Sequence, residues 1–161
     1  MLISLFASTA QSAGLFFSAG AGITHNDTCG GTVSSEISAG ISFTDQFSSR
    51  ITHTDLGNCS FWNDYYDYYD YYDSNYESYS ETVNEITFRF TLPKSGHSSI
   101  FFEGGLGDFN TSLGYSENTA IIGGGLTMQL RSNWSWDAKL KIYPEQYGTI
   151  VNLGASLTYE Y

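Results

Sequence analysis

The sequence predicts an all-β protein, an eight-stranded antiparallel up-and-down barrel. Three observations carry that prediction. Apolar residues recur at every second position in eight separate stretches, and no 3.6-residue period is sustained anywhere. Composition is that of strands, rich in Gly, Tyr, Phe, Ser and Thr, with 17 glycines and aromatics at 17% of 161 positions. Connections between the stretches alternate between short and longer. The charge narrows the function classes. With 17 acidic residues against 6 basic ones and a net charge of −11, the chain cannot neutralise a row of phosphates, which excludes a nucleic-acid binder. Apolar residues at 41% and charged ones at 14% exclude a disordered chain. No apolar run reaches the length of a helical membrane span.

In chain order, residues 14–24 set Leu15, Phe17, Ala19, Ala21 and Ile23 against Phe16, Ser18, Gly20, Gly22 and Thr24. Residues 31–44 alternate likewise, with Glu36 on the polar face. Residues 46–56 are the weakest stretch, because Ile51 shares its face with Ser49 and His53. In 84–93, Ile86, Phe88, Phe90 and Leu92 oppose Glu85, Thr87, Arg89 and Thr91. Residues 99–107 and 118–131 place Glu103 and Arg131 on the polar face. In 134–143, Trp134, Trp136, Ala138, Leu140 and Ile142 oppose Ser135, Asp137, Lys139 and Lys141. Residues 149–161 set Val151, Leu153, Ala155, Leu157, Tyr159 and Tyr161 against Asn152, Gly154, Ser156, Thr158 and Glu160.

Short joins fall near Asp45, at 94–97 and at Ser132–Asn133, and longer ones at 25–30, 57–83 and 108–117, with a brief one at 144–148. Tight turns at one end and long loops at the other are the plan of a bacterial outer-membrane barrel. A soluble lipocalin-like barrel for small ligands has the same alternation with its faces reversed, so charge has to decide. Arg50, Arg89, Arg131, Lys139 and Lys141 lie on polar faces, as do Glu36, Glu85, Glu103, Asp137 and Glu160. Equal numbers of each sign, spread among Ser, Thr and Gly, suit an enclosed lumen of paired charges. Glu36, Arg50, Glu85, Arg89, Glu103, Arg131, Asp137, Lys139 and Lys141 are therefore expected to form a lumen network. Eight strands close on a lumen that side chains fill, so no large pore is expected. Phe43, Phe47, Trp134, Trp136, Tyr159 and Tyr161 fall near the short-turn end, as an interfacial girdle requires.

From residue 14 onward the chain resembles the small eight-stranded outer-membrane barrels, similar to the OmpA transmembrane domain and OmpX. The most specific part is the final NLGASLTYEY, in which Leu153, Ala155, Leu157, Tyr159 and Tyr161 alternate. That segment looks like the signal read by the barrel-assembly machinery of Gram-negative bacteria, with Leu153, Leu157, Tyr159 and Tyr161 carrying it. Family members usually end in Phe, and Tyr161 departs from that. The resemblance implies a monomer in the outer membrane, in contact with lipid and lipopolysaccharide. Short turns and termini would face the periplasm and long loops the outside.

Met1 to Ala13 open on an apolar run and end in small residues, which reads as the remnant of a signal peptide without its basic start, with cleavage after Ala10 or Ala13, a simply apolar N-terminus being the alternative. Cys29 and Cys59 lie in turn-rich segments away from metal-ligand spacing, so a disulfide is expected in an exported chain, two free thiols being the alternative. The loop Cys59 to Glu81 holds eight of thirteen tyrosines and six of seventeen acids; without it the charge would be −11 + 6 = −5. Its Tyr-Tyr-Asp repeat fits neither strand nor helix period, and reads as a low-complexity extracellular loop. Trp62, Tyr65, Tyr66, Tyr68, Tyr69, Tyr71 and Tyr72 offer rigid amphipathic contact area to an extracellular ligand on a host surface, phage or sugar. Asp64, Asp67, Asp70 and Asp73 are a weak calcium candidate, lacking the Gly turn and terminal Glu of an EF-hand.

The resemblance also raises a lipid A-modifying enzyme. His97 with Ser98, Ser99 and Glu103 lies in a short turn, the wrong end for that substrate. His53 with Asp55 and Ser49 lies nearer the outer rim and His25 in the first outer loop, but no spacing brings a base to a nucleophile. Neither a catalytic residue nor a cofactor is expected. The expected role is structural or in surface interaction.

Overall fold

Strict alternation turns one sheet into two opposite walls, and a sheet with its edges joined hides both. A computed structural model describes residues 14–27, 30–62, 76–93, 96–145 and 148–161. Its strands are β1 (Gly14–Asn26), β2 (Gly30–Ser42), β3 (Phe47–Trp62), β4 (Tyr76–Thr91), β5 (Ser98–Thr111), β6 (Ser116–Arg131), β7 (Trp134–Glu145) and β8 (Gly148–Glu160). Each pairs antiparallel with its chain neighbour, and β1 closes the barrel on β8 from Phe16↔Glu160 to Asn26↔Ile150. Closure removes every unpaired sheet edge, the condition for a sheet to cross lipid. The leader expected at residues 1–13 lies outside the described residues.

All eight expected strands are present, and several run further than alternation marked them. The long loop placed at 57–83 is strand at both flanks, paired from Gly57↔Glu81 to Trp62↔Tyr76, which leaves 63–75 as the connection. The join placed at 108–117 narrows to 112–115, because Asp108 and Asn110 pair with Asn118 and Ser116. The strand ends that flank 43–46, 92–97 and 132–133 lie at one end of the barrel, with the last strand residues. The strand ends that flank 27–29, 63–75, 112–115 and 146–147 lie at the other, called the outer end below.

The outward wall is apolar and open. Val33 is 76% exposed, Leu106 71%, Ile51 64% and Ile23 62%. The inward wall buries Ser18, Ser38, Thr52, Thr87 and a set of charges. A soluble barrel would reverse these walls, so the lipocalin-like alternative is set aside; an apolar surface of this extent belongs against lipid. Aromatics gather at the short-turn rim, where Phe43 stacks on Phe47 at 5.7 Å, and Trp134, Tyr159 and Tyr161 follow at 4.8 and 5.0 Å between centroids.

Candidate functional site: lumen and outer rim

Long charged side chains fit a narrow lumen only if their neighbours are small. Glu36 faces Gly20, Arg50 faces Gly40 and Glu85 faces Gly107 across the ladders. Glu103 and Lys141 both face Gly123, and Lys139 lies between Gly125 and Gly154. A Cβ at Gly123 would stand 3.0 Å from Glu103 Cγ.

Two clusters result. Arg89 donates through Nη1 to Asp137 at 2.7 Å, lies 3.5 Å from Glu103, and stacks over the Phe101 ring at 3.6 Å. Thr127 donates to the other Asp137 oxygen at 2.7 Å. Toward the outer end, Lys139 donates to Glu36 and Lys141 to Glu85, while Lys141 also lies 3.7 Å from Glu36. Thr54 donates to Glu85 at 3.2 Å. The β7 charges meet partners on β2 and β4, so these bonds span the lumen rather than run along one ladder.

Eight of the nine expected network residues are buried here: Glu36, Arg50, Glu85, Arg89, Glu103, Asp137, Lys139 and Lys141. Four are cations and four anions. Arg50 makes no ion pair within 4.0 Å among the described residues; it lies over the Phe16 ring at 5.1 Å. Arg131 is the correction. A register shift between Gln129 and Arg131 ends the regular alternation, leaving Arg131 exposed at the short-turn rim opposite Trp134. It lines an outer depression with Leu130, Trp134 and Leu157. Glu160, also assigned to the polar face, is exposed at the same end.

One feature of the lumen escaped sequence reasoning. Directly outward of the charges, six strands each turn one apolar residue inward: Leu56, Val83, Phe109, Ile121, Tyr143 and Ile150, all at most 2% exposed. Leu56 gets there through a bulge between Asp55 and Gly57, where Gly57 takes φ +95° and Asp55 accepts its N–H at 2.9 Å. The β1–β2 side is filled by Asn152, which donates to Thr24 at 2.8 Å and Ser34 at 2.6 Å. Further out, Asn26 donates to Glu81 at 3.0 Å. A signal existed: Ile121–Ile122, Ile142–Tyr143 and Ile150–Val151 are adjacent apolar pairs, which break alternation wherever an inward position turns apolar.

Cys59 is buried and disulfide-bonded; Cys29 lies outside the described residues. The recognition residues Tyr65, Tyr66, Tyr68, Tyr69, Tyr71 and Tyr72, and the calcium candidates Asp64, Asp67, Asp70 and Asp73, also lie outside them, as does the Trp62 side chain. Leu153, Leu157 and Tyr161 face outward, 61%, 45% and 78% exposed, and Tyr159 sits among the rim aromatics. Among the described residues the three histidines lie at separate places in the barrel. His97 is exposed in its turn while Ser99 is buried in the lumen, and Glu103 is held beside Arg89. His53 points outward and shares a 2.8 Å bond with Asn84. His25 lies on β1, paired with Gly31 and Val151, rather than in a loop.

Balanced inward charge, an apolar outer wall and an aromatic rim define a small lipid-spanning β-barrel of the kind found in bacterial outer membranes. Neither a family model nor a curated protein matches the sequence. Among solved structures, the chain is similar to the N-terminal β-barrel domain of Pseudomonas aeruginosa OprF, at 14% identity and TM-score 0.59, covering 94% of this chain and 100% of that one. It is equally similar in fold to Ail, the attachment invasion locus protein of Yersinia pestis, crystallised with the heparin analogue sucrose octasulfate, at 12% identity, TM-score 0.59, and 94% and 100% coverage. Neisserial surface protein A matches at 11% identity and TM-score 0.61, with 94% and 100% coverage.

Proposed function

We propose that the chain is a bacterial outer-membrane anchor that presents a Tyr-rich acidic segment to the outside, with a lumen too full of paired side chains to act as a large pore. The observation that carries this reading is the β3–β4 ladder, which continues from Gly57↔Glu81 to Trp62↔Tyr76, past the apolar layer of the lumen, so that the paired strands flanking 63–75 reach beyond it. At about 3.3 Å per residue, the stretch from Leu56 to Trp62 adds on the order of 20 Å of ladder. The segment's period of Tyr and Asp supports contact with an uncharged or basic surface, such as a sugar or a protein, since its acids would repel a polyanion. A non-catalytic role fits the separate placements of His25, His53 and His97.

The test replaces residues 63–75 by a short Gly-Ser turn and measures adhesion of cells displaying each form to host epithelial cells and to glycan arrays. Loss of binding with unchanged surface display is expected. Equal binding by both forms would overturn the reading. An altered lipid A mass on overexpression would overturn the non-catalytic part.

A further inference from the structure

Of the six basic residues, Arg50, Arg89, Lys139 and Lys141 are buried in the lumen and Lys94 lies outside the described residues. Arg131 is thus the one exposed lysine or arginine among the described residues. The register shift after Gln129 leaves both Leu130 and Arg131 exposed at the end of β6. The backbone on either side is held. The Gln129 amide donates to the Arg131 carbonyl and lies 3.3 Å from those of Ser132 and Trp134. Asn133 Nδ2 donates to the Glu160 carbonyl at 2.8 Å, and the Glu160 N–H returns a bond to the Asn133 carbonyl at 2.9 Å. The Arg131 guanidinium itself makes no ion pair within 4.0 Å and no hydrogen bond with the described residues. Glu160, the acid at the same end, leans toward β1, where its Oε1 stands 2.8 Å from the place a Cβ on Gly14 would occupy.

Arg131, Leu130, Trp134 and Leu157 line a depression of about 300 Å³ in the outward wall. Its parts follow the order of a lipid. Trp134 stands with the rim aromatics, at the level where headgroups meet hydrocarbon. Leu157 faces Trp136, further into the apolar wall, and Arg131 ends β6 on the headgroup side. A guanidinium is a planar fork that grips a phosphate through two parallel N–H bonds. We infer that this depression binds one anionic phospholipid, its phosphate on Arg131 and the upper part of a chain against Trp134, Leu130 and Leu157. A zwitterionic lipid carries its own ammonium beside the phosphate and gains less from the arginine. The net charge of −11 repels anions from the molecule as a whole, so the attraction is local to this rim. Anchoring needs only an apolar wall, and a lipid site goes beyond it; the inference rests on the barrel's place in lipid and is independent of ligand contact at 63–75.

The experiment is native mass spectrometry of the full refolded chain in detergent, titrated with phosphatidylglycerol or with phosphatidylcholine of the same acyl chains, each form being first shown to keep its heat-dependent gel shift. The parent is expected to hold one phosphatidylglycerol about fivefold more tightly than phosphatidylcholine, and Arg131→Gln to lose that preference. Arg131→Lys should keep part of it, since the charge survives without the fork. Leu130→Trp, which fills the depression and leaves the cation, should weaken both lipids, whereas Lys94→Gln should bind as the parent does. A parent without preference, an Arg131→Gln form that keeps it, or a Lys94→Gln form that loses it equally overturns the site. Should Arg131→Gln fail to fold, Leu130→Trp decides, and unchanged binding by that variant refutes the inference.

Discussion

Lys141→Met isolates what a paired charge contributes in this lumen. Lys141 is 0% exposed, donates to Glu85 and lies 3.7 Å from Glu36. Methionine keeps most of the aliphatic stem and removes the charge. Glu36 retains Lys139, but Glu85, whose side chain is also 0% exposed, keeps only the Thr54 hydroxyl at 3.2 Å among the partners described above. Removing one member of a buried pair costs ~3–5 kcal/mol, and the Thr54 bond, present in parent and variant alike, offsets none of it. The expected loss is therefore about 3–5 kcal/mol. Adding Glu85→Gln removes the orphaned charge and should bring the double variant to within about 1 kcal/mol of the parent, since a neutral replacement of a buried pair is often tolerated. The assay is equilibrium urea unfolding from lipid vesicles, followed by the fluorescence of Trp134 and Trp136. A single variant as stable as the parent, or a double variant losing the sum of two single losses, would refute the view that these charges matter as a compensated set.

Gly123→Val should destabilise by ~1–3 kcal/mol and lower the temperature of the gel-shift transition, because its Cβ meets Leu140 O at 2.9 Å and Glu103 Cγ at 3.0 Å; an unchanged transition would show that the lumen has slack there. Mass spectrometry without reductant should find one Cys29–Cys59 link, and two alkylated thiols would contradict it. Tyr159→Ser with Tyr161→Ser should cut the amount assembled in outer membranes several-fold while refolding in detergent succeeds; equal loss in both would assign these rings to stability instead.

The strands were legible because lipid favours apolar residues at outward positions, so the period is clear in most stretches and weak in 46–56, where Ile51, 64% exposed, shares the outward face with Ser49 and His53. Strand ends were less legible. Beyond the apolar band nothing enforces alternation, and the paired flanks 57–62 and 76–81 read as loop. Inward positions obey no single rule, since they answer to whichever side chain lies opposite. Charges stand out there and eight were found, whereas Ile121 or Ile150 beside an outward apolar neighbour looks like noise. Arg131 was misplaced because parity alone does not register a shift at Gln129.

The bonds across the lumen constrain the order in which the barrel can be made. Lys139 and Glu36 are 103 residues apart in the chain, Lys141 and Glu85 are 56 apart, and Arg89 and Asp137 are 48 apart. No single hairpin contains both members of any of these pairs. A partly formed sheet would carry Glu36 of β2 and Glu85 of β4 without the lysines that pair them until β7 arrives, and bare charges and open edges are both expelled from hydrocarbon. Insertion and closure are thus one cooperative event, slow for the reason that pairings distant in sequence are slow. Once closed, the barrel cannot shed β7 without unpairing four ion contacts at once, which makes its lifetime in the membrane a property of the unfolding barrier.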